Sequence, residues 1–231
     1  MCTARRACSC TVGAATVVEP RFPWLLVVVD GPSEARDGLP GVDGGAVRSI
    51  VRLVFGQIAA DNLEIMYWGR FARSPLRGEK RLRSYAERAF AAARFGDQTA
   101  YGTLLLVDND HSKHDHRREI QVALDQDAHL AGRSAVGVAC EMLEAWLLAD
   151  PEVCDPALLP SRSPDSLWGK KDDPASNYPK HVLRRLVLKP RGWHHRDATN
   201  AWDPARARAR SLSLAAFLDE VTALAERQGV R

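Results

Sequence analysis

Hydrophobic positions along the chain alternate between short apolar runs and longer segments of helical periodicity. Four runs have the length and composition of buried strands: Leu25 to Val29, Leu63 to Trp68, Thr103 to Val107, and Ala135 to Ala139. Each run ends at polar or turn-forming residues, and an amphipathic or helix-forming segment follows it. This order predicts an α/β fold with a mostly parallel, Rossmann-like sheet flanked by helices.

The helical segments between these runs carry apolar residues at intervals of three and four. The first apolar face comprises Val47, Ile50, Val51, Val54, Phe55 and Ile58; the second comprises Leu82, Tyr85, Ala89, Phe90 and Ala93. A shorter face follows at Ile120, Ala123 and Leu124. Residues 141–149 are strong helix formers and stop at Asp150-Pro151. Four helices therefore follow the four strands.

The chain changes character after Pro151, where prolines recur up to Pro179. Their fixed φ angles predict a long loop or short helical turns. A helix is expected from about Lys180 to Leu188, and a last one beginning near Ser211 or Ser213. We therefore expect a disordered leader over residues 1–21, an α/β domain over 22–150, and a Pro-rich loop with C-terminal helices packed on that domain over 151–231.

Composition narrows the class of protein. The 231 residues are 45% hydrophobic, which favours a folded core, and the net charge of +3 gives only a weak bias toward acidic partners. No run approaches the ~20 apolar residues that span a bilayer. The five cysteines are too irregular for a disulfide framework or a zinc motif. We expect a cytoplasmic protein without a membrane segment.

Carboxylates stand at the ends of two predicted strands. Asp108-Asn109-Asp110 follows one strand, and Asp30-Gly31-Pro32-Ser33-Glu34 follows another. The carboxyl edge of an open α/β sheet is where ligands bind. Converging carboxylates there are typical ligands of a divalent cation that acts on a phosphate-bearing substrate. The pattern predicts a metal site at this edge.

Further polar residues near these strand ends fit the same chemistry. Glu144 is either another metal ligand or an acceptor beside it, or a solvated glutamate at a helix N-terminus. Lys113, with Arg117 or Arg118, is placed to contact a phosphate. A rival set of His111, His114, His116 and Asp115 suits a transition metal, although its spacing matches no standard zinc motif.

Basic residues cluster before and within the second predicted helix. The set predicted to bind nucleic acid comprises Arg70, Arg73, Arg77, Lys80, Arg81 and Arg83. Such a stripe can follow a phosphate backbone and would make binding salt-dependent. A solvated helical face is the alternative interpretation.

Several of these segments resemble one known superfamily. Asp30-Gly31-Pro32-Ser33-Glu34 resembles the acid-glycine signature of the Toprim domain, and Asp108-Asn109-Asp110 resembles its downstream Asp-x-Asp motif. Residues 141–150, Tyr178-Pro179-Lys180 and the segment from Ser211 to Leu224 resemble a bacterial Toprim-like family of unknown function. The similarity extends from about Leu25 to the C-terminus.

This resemblance implies a nuclease that uses Mg²⁺ or Mn²⁺ to hydrolyse phosphodiesters, as in relatives that work in phage defence beside an ATPase. The implied catalytic residues are Asp30, Glu34, Asp108, Asp110 and Lys113, and the implied metal ligands are Asp30, Asp108, Asp110 and Glu144. Toprim proteins usually carry glutamate at the first acidic position. Asp30 has a shorter reach, so the metal lies closer to the first strand, Glu34 compensates, or the site is weakened.

Two other functions are compatible with the same residues. In one, the Toprim-like scaffold is a non-catalytic interaction module that binds an ATPase, and its acids are structural. In the other, Asp108 is the phosphoacceptor of a receiver-like domain. A receiver also needs a lysine after a fifth strand, which has no evident counterpart in the sequence.

Overall fold

The core of the protein is a four-stranded parallel sheet. The computed structural model describes residues 24–29, 45–72, 84–109, 115–139 and 143–230. Within these residues the strands are β1 (Leu25–Val29), β2 (Leu63–Tyr67), β3 (Gly102–Asp108) and β4 (Ser134–Ala139), in the spatial order β2-β1-β3-β4. Helices flank this all-parallel sheet. The predicted α/β class is confirmed.

Eleven α-helices and several other helical turns surround the sheet in the described residues. The helices before β4 are α1 (Ala46–Phe55), α2 (Gln57–Asp61), α3 (Tyr85–Thr99), α4 (His116–Leu124) and α5 (Ala128–Gly132). Those after it are α6 (Leu143–Ala149), α7 (Pro179–Leu183), α8 (Lys189–Arg191), α9 (His195–Ala201), α10 (Pro204–Ala207) and α11 (Leu212–Arg227). A π-helix, Arg184–Leu188, connects α7 to α8, and 3₁₀ turns occupy Trp68–Ala72, Pro156–Leu158 and Pro164–Ser166.

Alternation along β1 sends its side chains to two apolar layers. Leu25, Val27 and Val29 pack in the layer that contains α1, α6 and α11, whereas Leu26 and Val28 pack in the layer that contains α3. Successive residues of a strand point to opposite faces, so a central strand that is buried on both sides is apolar throughout. This explains why all five residues of β1 are buried.

The first amphipathic helix is shorter than its periodicity predicts. It ends at Gly56, whose φ of 87° lies in the left-handed region that favours glycine, and a second helix then starts at Gln57. Ile58 consequently leaves the apolar face and is 69% exposed. The prediction that Ile58 belongs to the buried face of this helix is wrong.

The C-terminal helix covers the edge strand of the sheet. The amide of Val136 in β4 donates a 2.9 Å hydrogen bond to Oε2 of Glu220 in α11. Gly137 permits a close approach, because a Cβ atom at this position would lie 2.7 Å from the ring of Phe217. An edge strand exposes unpaired amides, and here α11 supplies both a polar partner and an apolar cover.

The helix after the Pro-rich segment is longer than expected. It extends from Pro179 to Arg191 and includes the π-helical turn, rather than ending at Leu188. Leu188 accepts a 2.9 Å hydrogen bond from the amide of Trp193, and Gly192 adopts a φ of 66°. This is a glycine C-cap of the Schellman type, which closes the helix. Within the described residues, no helix has the length and apolar character needed to cross a membrane.

Candidate functional site

The carboxyl edge of the sheet brings Asp108 next to the start of α6. Asp108 is the last residue of β3, and its Oδ1 accepts a 3.1 Å hydrogen bond from the amide of Leu143. The amide of Asn109 donates to the carbonyl of Ala139 at 3.1 Å, which keeps the ends of β3 and β4 together. Since all four strands are parallel, their carboxyl ends share this edge.

A small, mostly apolar pocket lies beside Asp108. Its walls come from the ends of β1, β3 and β4 and from the first residues of α1 and α6, and they comprise Val29, Val47, Leu106, Val107, Asp108, Ala139 and Leu143. Apolar surroundings strengthen the interactions of a charged group. A carboxylate in such surroundings is suited to bind a cation.

Glu144 is the second carboxylate of the predicted metal set that the structure describes. It lies in the first turn of α6, is 6% exposed, and has its Oε1 atom 3.8 Å from Nε2 of His195. The prediction of a solvated glutamate at the helix N-terminus is therefore wrong, because α6 packs into the core. A buried carboxylate requires a cationic or hydrogen-bonding partner, and the ring of His195 lies close to it.

Several predicted site residues fall outside the described part of the chain. These residues are Asp30, Glu34, Asp110 and Lys113. Among the residues that the structure describes, no group of three or more His, Cys, Asp or Glu side chains is placed to hold a metal ion. The two described acids, Asp108 and Glu144, carry oxygen donors, which is the type of ligand that Mg²⁺ prefers.

The predicted nucleic-acid surface is described only at its first residue. Arg70 is exposed in the 3₁₀ turn that follows β2, at the same edge of the sheet as Asp108. The remaining members lie outside the described residues: Arg73, Arg77, Lys80, Arg81 and Arg83. Arg70 is therefore the member of the stripe whose position the structure gives.

Side chains around the start of α4 have structural partners. Asp115 caps this helix by accepting a 3.0 Å hydrogen bond from the amide of Arg118. The ring of His116 packs edge-on against Tyr85, with the centroids 4.8 Å apart, and the guanidinium of Arg117 pairs with the carboxylate of Glu220. His111 and His114, the other members of the rival metal set, are outside the described residues. The described half of that set is thus explained by packing and capping.

An open cavity of about 560 Å³ lies beside Glu144 and was not predicted from the sequence. It is formed by α7, the π-helix and the residues that lead into α9. His195 belongs to its wall and also contacts Glu144. The sequence contains the Trp193-His194-His195 segment and the basic residues Arg184 and Lys189, which could have indicated a site. Their proximity in one cavity is evident only from the fold.

Comparison of the chain with protein family models, curated proteins and solved structures gives no match. The Toprim resemblance consequently rests on the motifs quoted above. The position of Asp108 at the end of β3 is therefore the structural basis for a functional proposal.

Proposed function

We propose that this protein is a divalent-metal-dependent nuclease of Toprim type, which hydrolyses phosphodiester bonds at the carboxyl edge of its sheet. The observation that carries the proposal is the position of Asp108 at the end of β3, oriented by the amide of Leu143. Glu144 follows Leu143 directly and is buried. This position at the carboxyl edge of the sheet supports Asp108 as a metal ligand, and the start of α6 brings Glu144 to the residue after Leu143.

Mg²⁺ or Mn²⁺ bound by Asp30, Asp108, Asp110 and Glu144 would activate water and stabilise the leaving oxygen. The hydrogen bond from Leu143 restricts the Asp108 carboxylate to one orientation, which reduces the ordering needed on metal binding. Arg70 and Lys113 would contact the substrate phosphates, and Glu34 would compensate for the shorter reach of Asp30. The proposed setting is a bacterial phage-defence system with an ATPase partner in the cytoplasm.

The test separates the charge of Asp108 from its hydrogen bond. Asp108→Asn retains an oxygen that can accept the hydrogen bond from Leu143 but removes the negative charge. We therefore expect the stability of the protein to be largely kept. Cleavage of DNA or RNA that is stimulated by Mg²⁺ or Mn²⁺ should fall by at least about 100-fold. Asp219→Asn is the control. Asp219 is an exposed acid on α11 that pairs with Arg208. Cleavage that survives combined replacement of Asp108 and Asp110 by alanine would overturn the proposal.

A second candidate is a non-catalytic module that binds an ATPase. It is favoured by the hydrogen bond between Asp108 and Leu143, since this contact gives the acid a structural role independent of any metal. This alternative predicts stable co-purification with an ATPase and unchanged binding of that partner by Asp108→Asn. It also predicts that isothermal titration with Mn²⁺ detects no specific site in the wild-type protein.

A further inference from the structure

We propose that the cavity beside Glu144 binds the phosphate group of a nucleotide. This basic cavity is defined by Lys180, His181, Arg184, Lys189, His194 and His195, with Trp193 as its aromatic wall. Its volume of about 560 Å³ lies within the range of roughly 300–1,000 Å³ that is usual for small-molecule sites. The binding step is independent of the proposed nuclease activity.

The basic residues at the cavity favour an anionic ligand. The basic residues Lys180, Arg184 and Lys189 and three histidines are among the residues that line the cavity. Within the described part of the chain, no carboxylate lines this cavity. Guanidinium and ammonium groups are the side-chain groups that most often recognise phosphate, and Lys180, Arg184 and Lys189 bring them to the rim of this largely apolar cavity.

The backbone around the cavity is fixed by specific contacts. The π-helical turn Arg184–Leu188 carries Arg184 and replaces a regular helical turn at the cavity wall. The next segment is closed by the glycine cap at Gly192 and by the hydrogen bond from the Trp193 amide to Leu188. Nε2 of His181 donates to the carbonyl of Lys171 at 2.7 Å, which orients its ring. Such fixed positions lower the ordering cost of ligand binding.

Trp193 favours a nucleotide over inorganic phosphate as the ligand. The guanidinium of Arg191 lies 4.5 Å from the centroid of the Trp193 ring and stabilises its orientation. A nucleobase can gain apolar contact with an indole, whereas inorganic phosphate cannot. Basic residues next to an aromatic ring in one cavity therefore favour a nucleotide.

The cavity connects to the carboxyl edge of the sheet through two contacts. Nε2 of His195 lies 3.8 Å from Oε1 of Glu144. The residue before Glu144 is Leu143, whose amide donates a hydrogen bond to Asp108. If the bound nucleotide is the end of a nucleic-acid strand, cleavage at Asp108 would require the strand to reach this edge; only this step rests on the proposed function. A free nucleotide in the same cavity requires no catalytic role of Asp108.

Isothermal titration in EDTA tests binding without any metal. The probes are deoxyadenosine 5′-monophosphate, deoxyadenosine, and a short single strand with and without a 5′-phosphate. We expect the phosphorylated probes to bind, and Arg184→Ala and Lys189→Ala each to weaken that binding by roughly tenfold or more, as the loss of a charged hydrogen bond implies. Binding of the mononucleotide indicates a free nucleotide as ligand, and binding of the phosphorylated strand alone indicates a strand end.

The control variant is Arg227→Ala, which removes the same charge at the opposite end of the sheet. Arg227 is exposed, and its Nε donates to the carbonyl of Gly132, ahead of β4. Circular dichroism checks that all variants are folded. Equal binding of phosphorylated and unphosphorylated probes, absence of binding, or equal effects of Arg184→Ala and Arg227→Ala would overturn the proposal. Metal-dependent cleavage by the Asp108 variants is measured in a separate assay. The nucleotide-binding proposal and the nuclease proposal can therefore be rejected independently.

Discussion

The backbone amide of Leu143 donates a 3.1 Å hydrogen bond to Oδ1 of Asp108. This contact joins the end of β3 to the first residue of α6 and satisfies one of the amides that a helix leaves without an internal partner. The negative charge of Asp108 also interacts favourably with the N-terminal end of the helix dipole. The acid predicted to bind metal is therefore part of the fold as well.

Replacement of Asp108 should separate these two roles. Asp108→Ala removes the acceptor and should lower the free energy of unfolding by about 1 kcal/mol, as for loss of a helix-capping group. Asp108→Asn keeps an acceptor and should cost about half as much or less. Urea unfolding followed by circular dichroism measures both. Equal destabilisation by the two variants would show that the hydrogen bond to Leu143 contributes little.

The sheet was predictable because its central strands, β1 and β3, are apolar on both faces. The runs at Leu25 and Thr103 appear in the sequence as continuous apolar stretches, which are typical of central parallel strands. The break at Gly56 was not predicted, since the apolar spacing continues through Ile58 although the helix ends. Local periodicity reports which face can be buried, but a positive φ at one glycine ends the helix.

Gly137 should not tolerate a larger side chain. In Gly137→Ala the new methyl group would meet the ring of Phe217, which is itself stacked on Trp146 with centroids 5.6 Å apart. Because this ring has little freedom to move, we expect a loss of about 1–3 kcal/mol in the free energy of unfolding. Thermal and urea unfolding provide the measurement.

Gly132→Ala is the matched control for this prediction. A Cβ atom at Gly132, the last residue of α5, would meet no atom within 4 Å. Its φ is outside the positive range, so alanine should be neutral or stabilise the protein by up to about 1 kcal/mol. If the two substitutions had equal effects, the close contact between β4 and α11 would not be the cause.

Arg206 should contribute strongly to stability through the fully buried Asp150. Its Nε and one terminal nitrogen donate to the two carboxylate oxygens at 2.9 and 2.8 Å, and Asp150 is 0% exposed. Arg206→Ala leaves this buried charge with its backbone donors, Asp203 and Glu152, and should cost about 2–3 kcal/mol. The control Arg208→Ala breaks an exposed pair with Asp219 and should cost about 0–1 kcal/mol. Chemical denaturation of both variants compares them.

The candidate site was only partly predictable from the sequence. Asp108 was identified because it ends an apolar strand, and strand ends of a parallel sheet meet at one edge. The cavity was missed because its walls come from Lys180, Lys189 and His195, whose apposition depends on the π-helical turn and the glycine cap at Gly192. Neither feature produces a hydrophobic period, and charged residues without a period were assigned to the surface.

Cys154 should make stability depend on alkaline pH. The side chain is buried, and burial raises the pKa of the Cys154 thiol above the ordinary value of about 8.5, despite the opposing charges of Arg210 and Arg191. The folded state therefore holds this proton more tightly than the unfolded state, so the contribution is complete below the unfolded pKa and is lost as pH rises through the folded pKa. The difference in unfolding free energy between wild type and Cys154→Ala should stay constant up to about pH 8 and then shrink by at most about 1.4 kcal/mol per pH unit. Urea titrations at pH 7.5 and 9.5 measure this difference in unfolding free energy. The other four cysteines are common to both proteins and do not contribute to it. The same difference at both pH values would contradict the prediction.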